Sequence, residues 1–238
     1  MDFGEPEHIG MLRDSIRCML ERHATREMMA RWDEEDKVPR SLMQHITELG
    51  VCGMTIPEEY GGTGRDILGA MVTVEELSRR SMVIGTLYLM NACYGSMNIL
   101  ASGSDEQKRK LLPKLANGEL LFAYGLSEPD VGSDLASVKT RAVPNDQGFV
   151  LNGQKIWTTN AHHCQYMIAL VRTSGTTEDR HKGLSQVIVD LSLPGVTVRP
   201  IEDLSGDSHF CEVFFDNVQL DADAIVGAEG QGWEQVTA

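Results

Sequence analysis

No run in this 238-residue chain approaches the ~20 consecutive apolar residues that cross a bilayer, so no segment reads as a membrane-spanning helix. Cysteine is scarce and scattered. Cys18, Cys52, Cys93, Cys164 and Cys211 form no C-x-x-C pair, and their odd number argues against a disulfide framework and for a reducing compartment. Positive charge is also short: 21 Lys and Arg face 35 Asp and Glu, a net charge of −14. That balance argues against a nucleic-acid partner and against an anionic membrane surface. Met1-Asp2-Phe3-Gly4-Glu5 shows neither a signal-peptide apolar region nor an Arg-rich transit pattern, so cytoplasm is the expected compartment. Internal repeats and low-complexity tracts are missing too. What is present is enough chain, at 42% hydrophobic content, for two ordinary domains with real cores.

The apolar period divides the chain. Ile9, Leu12, Ile16, Met19 and Leu20 recur at helical steps. Pro39 opens a second helix carrying Leu42, His45, Ile46 and Leu49, which Gly50 ends. Residues 57–64 form a loop by Pro and Gly content, and residues 67–101 supply two helices joined near Ser81. Ser104 with Gln107 matches a capping box that starts a last helix running to Asn117-Gly118. After Gly118 the period becomes two. Val138, Thr140 and Ala142 alternate, Asn145 to Gly148 turns, and Phe149 begins a return strand. Asn152-Gly153 is a tight-turn pair, with a strand resuming at Gln154. Further strands are expected over 167–172, 184–190, 196–199 and 211–215, a polar loop over 174–182, and a turn over 227–232 before a helical start at Trp233. The expected fold class is therefore α+β: a helical N-terminal domain (1–120), then an antiparallel β-barrel or sandwich (121–230), with 231–238 opening a further helical segment.

Tyr124-Gly125-Leu126-Ser127-Glu128-Pro129-Asp130-Val131-Gly132-Ser133-Asp134 is too polar and too bent to be core. Its hydroxyls and backbone N–H groups, following an apolar run, suit a polar, flat or anionic ligand. Trp157-Thr158-Thr159-Asn160 comes next in order. The first block resembles the Y-x-[VL]-[TS]-E-P-x-x-G-S-D segment of the acyl-CoA dehydrogenases, and the second resembles their W-[IT]-T-N segment. Residues 56–62 are similar to another stretch of that family. The resemblance covers essentially the whole chain and stops where the family continues into a C-terminal four-helix domain.

The resemblance implies an FAD-dependent enzyme that desaturates an acyl-CoA thioester to a trans-2-enoyl-CoA, passing a hydride to flavin N5. It also implies an electron-transfer flavoprotein as acceptor and a homo-oligomer when the protein is full length. Tyr124, Leu126, Ser127, Gly132, Ser133, Trp157, Thr158 and Thr159 would bind the cofactor, with Thr159 near N5, Trp157 against the ring, and serine at 127 where many members carry threonine. Ser133 would also meet substrate, and Met90 and Tyr94 would line the acyl-tail channel. The family's catalytic base is a carboxylate of the C-terminal domain, expected beyond Ala238, so no residue here is assigned that role. Residues 1–238 alone are accordingly expected to hold flavin weakly and to lack dehydrogenase activity. Alternatives from the same residues are an acyl-CoA oxidase or flavin monooxygenase on this scaffold, or a non-catalytic flavin- or CoA-binding subunit. Trp157 taken alone reads more simply as barrel core, and Glu128 as a structural turn residue. His162-His163-Cys164 lacks ligand spacing for a metal. Residues 33–36 read as a solvated acidic face, and Arg180-His181-Lys182 as an exposed loop, with contact to CoA phosphates the alternative for this densest basic cluster.

Overall fold

In the computed structural model, which describes residues 4–35 and 39–237, the chain separates into two compact units. One takes residues up to 100 together with 108–119, the other 101–107 and 120 onward. Met1-Asp2-Phe3, Asp36 of the acidic run, and Ala238 lie outside the described residues.

The first unit is helical, as its period requires. Helix α1 (Glu7–His23) buries Ile9, Ile16, Met19 and Leu20. A helix that the stripe analysis did not separate out, α2 (Arg26–Glu34), follows and buries Trp32. Then come α3 (Arg40–Glu48), begun at Pro39, and α4 (Ile67–Arg80), capped by Asp66, whose carboxylate accepts from the Gly69 amide at 2.8 Å. Gly50 leaves α3 with φ of 74°, a left-handed turn that glycine takes without steric cost. Ser81 separates α4 from α5 (Met82–Leu89), as expected.

Between α5 and α6 (Ser96–Ser102) the helix widens into a π-helical segment over Met90–Gly95. The Ala92 carbonyl there accepts from the Thr55 hydroxyl at 2.7 Å and from the Ser96 hydroxyl, so the loosened ladder is satisfied by side chains. α1 and α4 are joined by a charge cluster. Glu76, 3% exposed, accepts from Arg13 Nη1 at 2.7 Å and from Arg17 Nε at 2.8 Å. Hydrogen bonds from Arg17 hold its carboxyl below the usual range, against the burial that raises it. Helix α7 (Asp105–Ala116) starts on the expected capping box: Ser104 N donates to Gln107 Oε1 at 2.9 Å, and Gln107 N donates to Ser104 Oγ at 3.1 Å.

The second unit is one seven-stranded sheet: β1 (Phe122–Gly125), β2 (Arg141–Asn145), β3 (Gly148–Thr159), β4 (Tyr166–Arg172), β5 (Leu184–Asp190), β6 (Val196–Ile201) and β7 (Phe210–Leu220). The order is β1-β4-β2-β3-β7-β6, with β5 pairing β4. The sheet core is built from Ala123, Leu151, Met167, Ala169, Val187, Val213 and their neighbours. The α+β class holds, with one difference in detail: the sheet is mixed, because β1 and β2 both pair β4 in parallel. β1 leads into the long polar loop, not into a hairpin, so it need not reverse direction before pairing.

The Asn152-Gly153 turn is corrected. Both residues lie inside the continuous β3, where the register against β7 slips between Leu151 and Gly153. The bulge uses the same chemistry that a turn would. Gly153 has φ of 141° with Thr140 packed against it, and Asn152 Oδ1 accepts from Asn217 N at 2.9 Å. The short helix α8 (Gly232–Thr237) closes the described chain, and its Trp233 and Val236 pack on a small cluster of Val131, Val138, Leu170 and Leu184.

Candidate functional site

The polar loop after β1 is ordered from within. Glu128 N donates to Val131 O at 2.9 Å and Val131 N returns to Glu128 O at 3.0 Å, folding Pro129-Asp130 into a two-residue turn. Glu128 is 6% exposed. Its Oε2 accepts from Lys139 N at 2.7 Å, and its Oε1 from Thr140 N at 2.9 Å and Lys155 Nζ at 2.9 Å. Lys155, wholly buried, donates a second bond to Leu126 O at 3.0 Å. One residue on, Ile156 N donates to Ser127 O at 3.0 Å. Leu126, Ser127 and Glu128 are thereby fastened to β3 immediately before Trp157. Burial raises the Glu128 carboxyl, but the Lys155 charge and the convergent donors outweigh it and hold the pKa below the ordinary value. Burial lowers Lys155 to about 8, with Glu128 opposing.

Just past this anchor, the β3–β7 register slips again, between Lys155 and Thr158. Trp157 sits in the slip with φ of 58°, a backbone region that bulky residues rarely occupy. The residue is 57% exposed, so the core reading of Trp157 does not hold. Phe210 meets it edge-on, with ring centroids 6.0 Å apart at 88°. A flat aromatic displayed to solvent on a strained backbone is an arrangement that the fold itself does not need.

Thr158 and Thr159 part company. Thr158 is turned inward, 1% exposed, and its Oγ1 is buried with no hydrogen-bond partner among the described residues. Thr159 stays half-buried, paired across the ladder with Phe210. Half-buried Tyr124 accepts from Gln186 Nε2 at 2.6 Å, and burial pushes its hydroxyl pKa up. Gly132 and Ser133 are exposed, and a Cβ added at Gly132 would touch nothing within 4 Å, so among the described residues no atom demands glycine there.

The far end of the loop is tied down differently. Arg172, 1% exposed, spends its guanidinium on main-chain carbonyls of Val138, Lys182, Ala136 and Arg180 at 3.3, 2.8, 3.1 and 3.0 Å. Outside it, Arg180 pairs with Asp134 and donates to Ser137 Oγ at 2.7 Å, and hydrogen bonds from Arg180 and from Ser137 Oγ (2.6 Å) pull the Asp134 carboxyl down to about 2. Arg180 is thus committed to the loop, and His181 lies on Trp233 at 4.0 Å. Met90 and Tyr94 belong to the helical unit. Met90 is fully buried and Tyr94 half-buried in the π-helical segment, where four-residue spacing no longer stacks side chains as in an α-helix.

Sequence reasoning missed Lys155, Arg172 and Phe210. A signal existed for Lys155: it falls on the inward phase of β3 with Leu151, and a lysine there requires a buried acid. Around Trp157, the donor set is hydroxyls and main chain beside an open aromatic face, which fits a flat heteroaromatic group edged with polar atoms. His162 Nδ1 lies 3.1 Å from Cys211 Sγ.

Residues 6–119 match the model of the acyl-CoA dehydrogenase N-terminal domain, and residues 123–218 match the middle domain. The acyl-CoA dehydrogenase IpdE1 of Mycobacterium tuberculosis is 38% identical over 199 residues, covering 84% of this chain and 51% of that protein. A glutaryl-coenzyme A dehydrogenase solved with glutaryl-CoA superimposes with a TM-score of 0.92 at 32% identity, covering 99% of this chain and 60% of the other. A glutaryl-CoA dehydrogenase from Mycobacterium smegmatis, solved with FADH2, gives a TM-score of 0.83 at 28% identity, over 95% and 57% of the two chains. The chain spans about half the length of the curated relatives it matches.

Proposed function

The chain belongs to the acyl-CoA dehydrogenase family, and from that membership we propose that its sheet unit presents the isoalloxazine face of an FAD site for α,β-desaturation of an acyl-CoA thioester. The observation that carries the reading is Trp157: exposed, on a left-handed backbone, and fastened two residues upstream to the loop that bears Leu126 and Ser127. Trp157 supplies the flat surface. The Ser127 hydroxyl and the main chain at Leu126 edge it with donors and acceptors, and Tyr124 is fixed behind them through Gln186. Thr159 contributes a hydroxyl on the accessible side, whereas Thr158 supports the strand from within. Gly132 and Ser133 leave an open stretch of main chain and a donor for a phosphate or for the CoA chain. Bound FAD would accept the β-hydrogen as hydride.

In the helical unit, Tyr94 is proposed to border the acyl tail, with Met90 shaping that wall from inside. The substrate class is an acyl-CoA, the acceptor an electron-transfer flavoprotein, and no residue of this chain is assigned as the base. FAD titration followed by flavin fluorescence tests the reading. Trp157→Ala should weaken binding about tenfold, equivalent to ~1.4 kcal/mol, with melting unchanged. Equal affinity in the variant would refute the assignment of the ring to Trp157.

A further inference from the structure

We infer that the buried Glu128–Lys155 pair is a positioning device, locking residues 126–131 and the Trp157 bulge into one rigid body so that the two sides of the flavin face keep a fixed separation. The inference rests on the flavin-face reading for its functional part. Its structural part stands alone.

The sheet does not need the pair for cohesion. An extensive apolar core already holds β3, β4 and β7, and a buried ion pair can usually be exchanged for apolar residues without loss of stability. What the pair adds is register. The β3–β7 ladder slips between Lys155 and Thr158, so ladder bonds alone do not fix where Trp157 stands. An outside reference is required there, and Lys155 is the residue at the near edge of the slip. Its ammonium bridges Glu128 Oε1 and Leu126 O, at 2.9 and 3.0 Å. The same carboxylate is fixed by the amides of Lys139 and Thr140, which follow the loop in sequence. Both ends of the loop and the strand beside Trp157 therefore meet at one carboxylate. The Ile156–Ser127 main-chain bond continues the contact toward the indole. Neither Glu128 nor Lys155 reaches solvent to bind anything itself, so their effect on a ligand must pass through Leu126, Ser127 and Trp157.

The test compares the wild-type chain with Glu128→Gln/Lys155→Met, which removes both charges and leaves an amide oxygen to accept from the Lys139 and Thr140 amides. Hydrogen exchange is read at residues 126–131 and 156–159, melting by calorimetry, and FAD affinity by fluorescence. The expected result is joint loss of protection in both segments, with β4 and β5 unchanged, melting within a few degrees, and FAD binding weakened about tenfold. Unaltered exchange, or loosening of one segment only, overturns the lock. Joint loosening with unaltered FAD affinity overturns its role in positioning. Should the double variant fail to fold, wild-type exchange decides: the two segments must open together with the same denaturant dependence, and independent opening overturns the proposal. A wild-type chain that binds no FAD would sink the flavin reading instead, leaving the lock to be judged by exchange alone.

Discussion

Two buried glutamates, one in each unit, solve the same problem with different consequences. Glu76 is surrounded by Arg13 and Arg17, whose side chains are 16% and 44% exposed and remain partly hydrated. Glu128 faces Lys155, whose side chain has no exposure at all, and completes its coordination with main-chain amides. The first cluster joins two helices already packed through an apolar stripe. The second lies where a strand loses its register beside an exposed tryptophan. A buried charge whose partner reaches water reinforces packing; one whose partner is sealed inside dictates geometry.

Single substitutions should separate the two most widely. Lys155→Met strands a buried carboxylate and is expected to cost ~3–5 kcal/mol in urea unfolding. Glu76→Gln keeps an acceptor beside two arginines that can turn to solvent, and should cost less, ~1.5–3 kcal/mol. Equal losses would dissolve the distinction.

The pH response should differ in the same way. Both glutamates have folded pKa values below 4.5, so their stabilisation is complete above that pH and is lost as pH falls through the depressed values. Only the sheet site responds in alkali. Lys155 titrates at about 8 when folded and near 10.5 when unfolded, so between those limits the unfolded chain holds the extra proton. Stability from this group therefore rises with pH across that window, and unfolding takes up a proton. Calorimetry in buffers of different ionisation enthalpy should show a smaller proton uptake on unfolding in Glu128→Gln/Lys155→Met than in the wild type, on top of the opposite release that the buried Cys52 and Cys164 thiols give in both proteins.

The smallest effects concern the neighbouring threonines. Thr158→Val removes a buried, unbonded hydroxyl at constant shape and should be neutral or stabilising by up to ~1 kcal/mol. Thr159→Val should leave melting unchanged and slow flavin reduction in an active holoenzyme. A reversal of these two outcomes would place the functional hydroxyl at 158.

Much of the fold was legible because local rules were obeyed. The α1 stripe, the Pro39 start, the Ser81 junction and the Ser104–Gln107 capping box all stand where their spacing puts them. Asn152-Gly153 misled because a bulge and a tight turn demand the same φ freedom, and only the strand across from it decides which forms. The site was legible as two motifs but not as one arrangement. Nothing near Lys155 in sequence announces Glu128, 27 positions away.

By itself, then, the sequence determined the helical segments other than α2, where the period changes, and which polar loop and aromatic strand end carry the family's pattern. Those properties follow from short-range sterics and periodic burial, which act within a few residues. Tertiary structure alone decided that β1 runs parallel to β4, that Trp157 points to solvent while Thr158 points inward, and that Arg172 and Lys155 hold the loop at its two ends. Each depends on which distant groups arrive to satisfy a buried charge or an unpaired backbone, and that is settled only when the whole sheet closes around them.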